Sequence, residues 1–275
     1  MTGPSKGVGS NEKRPRFVPI PKLGKKGIDK IVAVMSGKGG VGKSFIACML
    51  AIELRRAGYE VGILDADLTG PSVPKMLGLV ARPTVKEGKV VPVLSKSGIK
   101  AMSMNLLLEN PEKPIIWRGP LISKAIRELY GEVDWGKLDF LIVDLPPGTS
   151  DAPLTVFQSL PVDGVVTVMT PQDVARLIVA KAMNMAKTMN VPIIGIVENM
   201  SFFKCPKCGE VSWPFGPSRE EEIKALGVEF LGSIPIDPEI SRLSDLGRLE
   251  DYEHPALEEM GKRFLKSLSG KVGPK

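Results

Sequence analysis

The chain is poor in the residues that several kinds of protein depend on. Its 275 residues include three cysteines, one histidine and only 5% aromatics. An odd, small number of cysteines gives no disulfide framework. The single histidine, His254, lies in a polar segment, so neither a histidine-based triad nor a histidine-rich metal site is available. No apolar run reaches the length of a membrane span and no signal-peptide pattern opens the chain, so a cytoplasmic location is expected. Lysines and arginines gather at both ends with few interleaved aromatics, Phe17 in the leader and Phe264 near the C-terminus. A stacking platform for nucleic acid is therefore not expected, and the basic ends read as solvated tails.

The rest of the composition is that of a globular protein, with 43% hydrophobic residues, 25% charged and a net charge of +6. No internal repeat is present. Residues 1–27, rich in Gly, Pro, Ser and Lys, read as a flexible basic leader, and 28–270 as one domain. Short apolar runs at Ile31–Met35, Val61–Asp65, Phe140–Asp144, Gly164–Thr170, Ile193–Val197 and Phe230–Ile234 have the character of strands buried on both faces. Helical patterns fall between them, at Ser44 to about Ala57, Leu121–Tyr130, Gln172–Met189 and Arg219–Leu226, with two more at the C-terminus. On the Gln172–Met189 pattern, Val174, Leu177, Ile178, Met185 and Met189 fall on one side. Lys89–Leu94 and Ile99–Ser103 read as a hairpin, and Asp67–Pro74 as a loop broken by its prolines and glycine. Strands alternating with helices predict an α/β fold with a mostly parallel sheet covered on both faces.

The chemistry begins at Gly37-Lys38-Gly39-Gly40-Val41-Gly42-Lys43-Ser44, a G-x-x-x-x-G-K-[ST] loop between an apolar strand and a helix. Glycines let backbone N–H groups converge on phosphate oxygens, and the helix start adds partial positive charge. Lys43 is placed to reach the β- and γ-phosphates, and the Ser44 hydroxyl to ligate Mg²⁺. The same residues fit G-x-G-x-x-G, with Asp65 where a dinucleotide-binding unit has its ribose acid. A nicotinamide cofactor, however, has no γ-phosphate for Lys43 and no Mg²⁺ for Ser44. The strand ending at Asp144 supplies the carboxylate that a triphosphate site requires. ATP with Mg²⁺ is the expected cofactor.

Lys38, directly after the first glycine of the loop, makes Lys38-Gly39-Gly40-Val41-Gly42-Lys43-Ser44 resemble the deviant Walker A of the MinD/Mrp/ParA ATPases. That resemblance implies a dimer in which Lys38 reaches the partner's phosphates, in the manner of an arginine finger. It further implies that Asp67 orients the attacking water and that Asp65 holds Mg²⁺ through its water shell. Asp144-Leu145-Pro146-Pro147-Gly148-Thr149 resembles the group's switch II, with the Gly148 N–H available to a γ-phosphate.

Asp67…Gly70-Pro71-Ser72, Trp117-Arg118-Gly119-Pro120 and Glu198-Asn199-Met200-Ser201 ahead of Cys205-Pro206-Lys207-Cys208-Gly209 resemble the Mrp/ApbC iron–sulfur cluster carriers. From that likeness, Asn199 reads the adenine edge and Pro235 packs on the ring. Cys205 and Cys208 form a tight knuckle with two thiolates, half of what a Zn or [4Fe–4S] site takes. Cys48 lies inside the loop helix and reads as a buried small hydrophobe. A two-fold dimer would supply four ligands. The resemblance implies a bridging [4Fe–4S] cluster passed to apo-proteins, with structural Zn²⁺ or a redox dithiol as alternatives.

Two departures from the family pattern stand out. Phe45 replaces a small hydroxyl residue that meets the α-phosphate, and the leader lacks a four-cysteine motif, so no N-terminal cluster is expected. A second reading, a membrane-associated positioning ATPase, rests on Leu257, Met260, Phe264, Leu265 and Leu268 along one side of a C-terminal helix. A helix docked on its own domain explains that stripe equally well.

Overall fold

Ile31 to Val34 are completely shielded from solvent, as are Ile63, Leu64, Leu141, Ile142 and Val143, and these runs make the middle of the sheet. The computed structural model describes residues 21–68, 70–108, 119–148, 151–172 and 175–269. In chain order its elements begin with β1 (Ile28–Ser36), α1 (Lys43–Arg56), β2 (Val61–Asp65), α2 (Val73–Met76), β3 (Thr84–Lys86), β4 (Lys89–Val91), β5 (Val93–Leu94) and β6 (Lys100–Ser103). They continue with α3 (Gly119–Gly131), β7 (Leu138–Asp144), α4 (Asp151–Ser159), β8 (Gly164–Met169), α5 (Ala175–Met189) and β9 (Ile193–Glu198). The last are β10 (Phe203–Lys204), β11 (Val211–Ser212), α6 (Glu220–Ala225), β12 (Phe230–Ser233), α7 (Pro238–Asp245) and α8 (Pro255–Ser269).

Eight strands form one sheet in the order β12-β9-β8-β1-β7-β2-β6-β5, parallel except where β5 runs against β6. One face packs under α1 and α8, with Phe140, Ile142, Val166 and Val168 meeting Ile46, Leu50, Leu257 and Phe264. The other face carries Ile31, Ala33, Leu141 and Val143 beneath residues of α3 and α4, including Ile126, Tyr130, Val156 and Phe157. This is the α/β architecture expected, a parallel sheet with helices on both sides.

Several details differ from the sequence reading, each for a local reason. Lys89–Leu94 is two strands, because Pro92 interrupts the run; Lys89–Val91 pairs with Thr84–Lys86 and only Val93–Leu94 joins the main sheet. The loop through Pro74 contains the short helix α2, where Pro74 sits in the first turn and its missing N–H costs nothing. Helix α4 had no sequence counterpart. On α5, Met185 is buried and Ile178 and Met189 pack against the core as expected, whereas Leu177 of the same set is 51% exposed. Val174, Trp117, Arg118, Thr149 and residues 1–20 lie outside the described residues. The end of the leader is fastened to the domain: the Leu23 N–H donates to the Ser159 carbonyl, the Tyr130 hydroxyl to the Gly24 carbonyl, and Lys25 pairs with Asp163.

Helix α8 docks on its own domain. Leu257, Met260 and Phe264 are fully buried against the sheet and α1, with Leu265 and Leu268 packed beside them. No helix among the described residues is long and apolar enough to cross a membrane.

Candidate functional site

The loop from Gly37 to Gly42 leaves the carboxyl end of β1, the sheet's central strand, and turns into α1. Gly40 (φ +79°) and Gly42 (φ +80°) adopt the left-handed conformation that glycine tolerates best. At Gly42 a side chain is also excluded by space, since a Cβ there would lie 2.2 Å from Asn199 Nδ2. No side chain caps the first turn of α1, so its N–H groups stay available to an anion. The rest of α1 is buried from Phe45 to Leu54. Cys48 lies within that stretch, its thiol pKa pushed well up by burial and then by Asp144.

Sheet register gathers the acids. Asp144, at the end of β7, stands beside Val34 of β1 and Asp65 of β2. Both carboxylates are completely buried. Asp65 Oδ1 accepts the Asp67 N–H at 3.1 Å, and Oδ2 accepts the Val73 N–H and the Ser103 hydroxyl, each at 3.3 Å. Burial, and then the neighbouring Asp144 charge, pushes the Asp65 carboxyl up to about 8. Burial raises Asp144 too, and the Lys43 ammonium opposes it. Lys43 Nζ is in direct contact with Asp144 Oδ1 and lies 3.2 Å from Ser44 Oγ. Asp67 is buried close by, and its Oδ1 accepts the Gly70 N–H at 3.2 Å.

Asp144 Oδ2 is buried and accepts no hydrogen bond. An unpaired buried carboxylate oxygen is costly, and a water from the shell of a divalent cation would satisfy it. With Ser44 and Asp65 alongside, the donor set is the hard, all-oxygen kind that suits Mg²⁺. The Gly148 N–H, expected to meet a γ-phosphate, donates to the Ser36 carbonyl at 3.1 Å, and Lys38 lies exposed on the loop with its carbonyl accepting from Ser36 Oγ.

Asn199 and Pro235 come together at the adjoining edge. Asn199 Nδ2 donates to the Val41 carbonyl at 2.9 Å, which ties it directly to the phosphate loop. Ile234 and Ile236, flanking the buried Pro235, hydrogen-bond to Glu198, Ser201 and Phe202 on the Asn199 strand and turn. Phe45 does more than omit a hydroxyl: its ring is part of the core beneath the loop.

The cysteines sit apart, on the hairpin β10–β11. Cys205 is half-buried and Cys208 exposed. The Cys205 N–H donates to the Glu210 carbonyl and the Gly209 N–H to the Cys205 carbonyl, each at 2.8 Å, which closes the knuckle. Backbone N–H groups of Cys208 and Lys207, followed by the Cys208 thiol, lower the Cys205 pKa, so this sulfur favours the thiolate that binds metals. Among the described residues, no group of three or more His, Cys, Asp or Glu side chains converges on a metal position. The two thiols are thus half a ligand set. Trp213 (53% exposed) and Phe215 (38%) lie next to the hairpin.

Glu198 is a residue to which the motifs assign no role. It is completely buried at the end of β9, and its signal was legible: an acid closing an apolar strand, as at Asp65 and Asp144.

A strand, glycine loop and helix beside paired buried carboxylates define a P-loop NTPase. Residues 27–269 match the ParA family, described as NUBPL iron-transfer P-loop NTPase, and the chain belongs to that family. It is 45% identical over 247 residues to the "Iron-sulfur cluster carrier protein" of Methanocaldococcus jannaschii, covering 87% of this chain and 85% of that protein. A solved nucleotide-binding protein from Archaeoglobus fulgidus, in complex with ADP and with cobalt found in it, superposes with a TM-score of 0.77 at 45% identity. That match covers 85% of this chain and 92% of the other. The cell-division ATPase MinD of Pyrococcus furiosus shares the fold at TM-score 0.63 and 20% identity, over 86% of this chain and 99% of its own.

Proposed function

We propose that this protein is an ATP-driven carrier of iron–sulfur clusters. Two copies hold a [4Fe–4S] cluster between their Cys205/Cys208 pairs and deliver it to apo-proteins in the cytoplasm. The observation that carries this reading is the half-set of thiols on an exposed knuckle, joined within a few residues to a turn that touches the phosphate loop. Four thiolates complete a cubane site, and a two-fold axis doubles two into four. The relatives' names as iron–sulfur cluster carriers and the ADP bound to the A. fulgidus protein support it.

At the nucleotide, the open N–H groups of the loop and α1 take the phosphates, and Lys43 leaves Asp144 to neutralise their charge. Ser44, Asp65 and Asp144 would hold Mg²⁺, which would supply charge stabilisation at the phosphoryl group. Asp67 orients the attacking water, and Lys38 reaches the partner's phosphates. Asn199 and Pro235 form the adenine side. Hydrolysis changes how tightly the cluster is held, because a nucleotide that favours the closed dimer is thermodynamically coupled to the cargo that bridges it.

Anaerobic reconstitution with iron and sulfide, read by absorption and Mössbauer spectroscopy, tests the assignment. The natural chain is expected to show a [4Fe–4S] spectrum with two protomers per cluster, and Cys205→Ala none. An unchanged spectrum in the variant removes the proposed site. Unimpaired cluster delivery by Lys43→Ala removes the coupling to ATP.

A further inference from the structure

The phosphate loop and the cysteine knuckle are joined by an unusually short path. Asn199, whose amide donates to the Val41 carbonyl, is followed by Met200, Ser201, Phe202 and then β10, which leads into Cys205. Met200 has φ +56°, the left-handed region that costs a side-chain-bearing residue about 1–2 kcal/mol and persists only where the surroundings impose it. Its terminal methyl lies on the same side as Gly42, 3.8 Å from where a Cβ of that glycine would stand.

Glu198 anchors both ends of the turn that contains Met200. Its carboxylate is fully buried at the head of the turn, and its donors come from the turn itself and from two other segments. Oε1 accepts the Ser201 hydroxyl at 2.6 Å and the Ser233 hydroxyl at 3.3 Å, while Oε2 accepts the Arg219 N–H at 2.8 Å. The Glu198 carbonyl accepts the Ile234 N–H at 2.8 Å, and the Ser201 N–H donates to the Ile234 carbonyl at 2.8 Å. Further along, the Ile236 N–H donates to the Phe202 carbonyl at 2.7 Å. A buried carboxylate with donors from three segments is expensive to disturb, because each lost donor leaves charge uncompensated. The turn therefore moves as a unit or not at all.

We propose that Glu198 is a positioning residue that makes the 198–201 turn a rigid link, so that nucleotide occupancy at the phosphate loop resets the Cys205/Cys208 pair. When a nucleotide fills the loop and draws on the Asn199 amide, the displacement passes through Met200 and Ser201 to the start of the hairpin. The clamped turn is the physical connection between the two sites. The inference rests on the function proposed above only in treating Asn199 as a nucleotide contact.

The test uses the metal-free protein with ADP, which fills the loop and base side without a γ-phosphate for a second copy to bridge. Alkylation rates of Cys205 and Cys208 are followed by peptide mass spectrometry, which separates them from buried Cys48. In the natural chain ADP is expected to change these rates by about fivefold or more, the usual scale of a coupling between two sites. In Glu198→Gln, ADP affinity is expected to stay within about twofold while the rate change falls below about twofold, a split that general destabilisation would not produce.

Ser201→Ala, which removes one donor and keeps the charge held by Arg219 and Ser233, is expected to lose part of the response; it carries the test should Glu198→Gln not fold. A full ADP response in either folded variant, or none in the natural chain, overturns the link. The assay contains neither iron nor sulfide. A failed cluster reconstitution beside a positive alkylation result would sink the carrier and leave the link standing.

Discussion

Asp144 and Cys208 mark opposite ends of this molecule's chemistry. The carboxylate is fully buried beside Asp65 in the middle of an eight-stranded sheet, whereas the thiol is exposed on a hairpin of two-residue strands outside that sheet. At the phosphate rim, register places the acids beside the loop: β1, β2 and β7 end together. At the knuckle, one chain supplies two sulfurs and local backbone hydrogen bonds hold them. Carboxylates that sheet pairing sets side by side are held in place by folding itself. On the reading proposed above, the two sulfurs depend on a partner's pair and can therefore let go of what they hold.

Substitutions at the two regions should consequently separate. The largest effect is expected from Cys208→Ser, which abolishes the reconstituted cluster while leaving ATP affinity within about twofold, measured by calorimetric titration. Lys43→Ala attacks the other region. Hydrolysis should fall by about a hundredfold or more, and the unpaired, buried Asp144 should cost roughly 3 kcal/mol of stability in denaturant melts, with the two cysteines still able to take a metal.

Phe45→Thr sharpens the contrast from within the rim. Restoring a hydroxyl at the α-phosphate should tighten ATP binding by about fivefold, while the cavity left by the buried ring should cost about 3 kcal/mol. A tighter variant with undiminished stability would show that the ring is not the packing element its burial indicates.

The smallest effect expected is a pH-dependent one at Asp65. Its folded pKa of about 8 lies above the ordinary value of 3.8, so the native state binds more protons than the unfolded chain between those values. Stability from this group is complete below about pH 4 and declines as pH rises through 8. Asp65→Asn in the nucleotide-free protein should raise the melting midpoint by roughly 5 °C near pH 8, and the gain should vanish near pH 4. A gain that grows toward acid pH would reverse the assignment.

The rim was legible because its signals are local and repeated. An apolar strand followed by glycines and Lys43-Ser44, and further apolar strands each closed by an acid, are readable without knowing how the strands pair. Pairing is long-range, and it alone puts Asp65 beside Asp144. What escaped was governed by tertiary context. Pro92 and Pro74 needed their neighbours before a broken strand and a first-turn helix could be told apart. The face of α5 that turns inward depends on what it packs against, so an apolar Leu177 ended in solvent. Glu198 carried the same strand-end signal as Asp144, yet its meaning came from Ser201, Arg219 and Ser233, which arrive from different parts of the chain.

The amides that point at the Cys205 sulfur have one more effect. They lower its pKa from the ordinary thiol value, so a soft cation displaces fewer protons here than at a free thiol. The same electron-rich, accessible sulfur is a ready target for peroxide. An emptied carrier in an aerated cell would be exposed to inactivation until it was refilled.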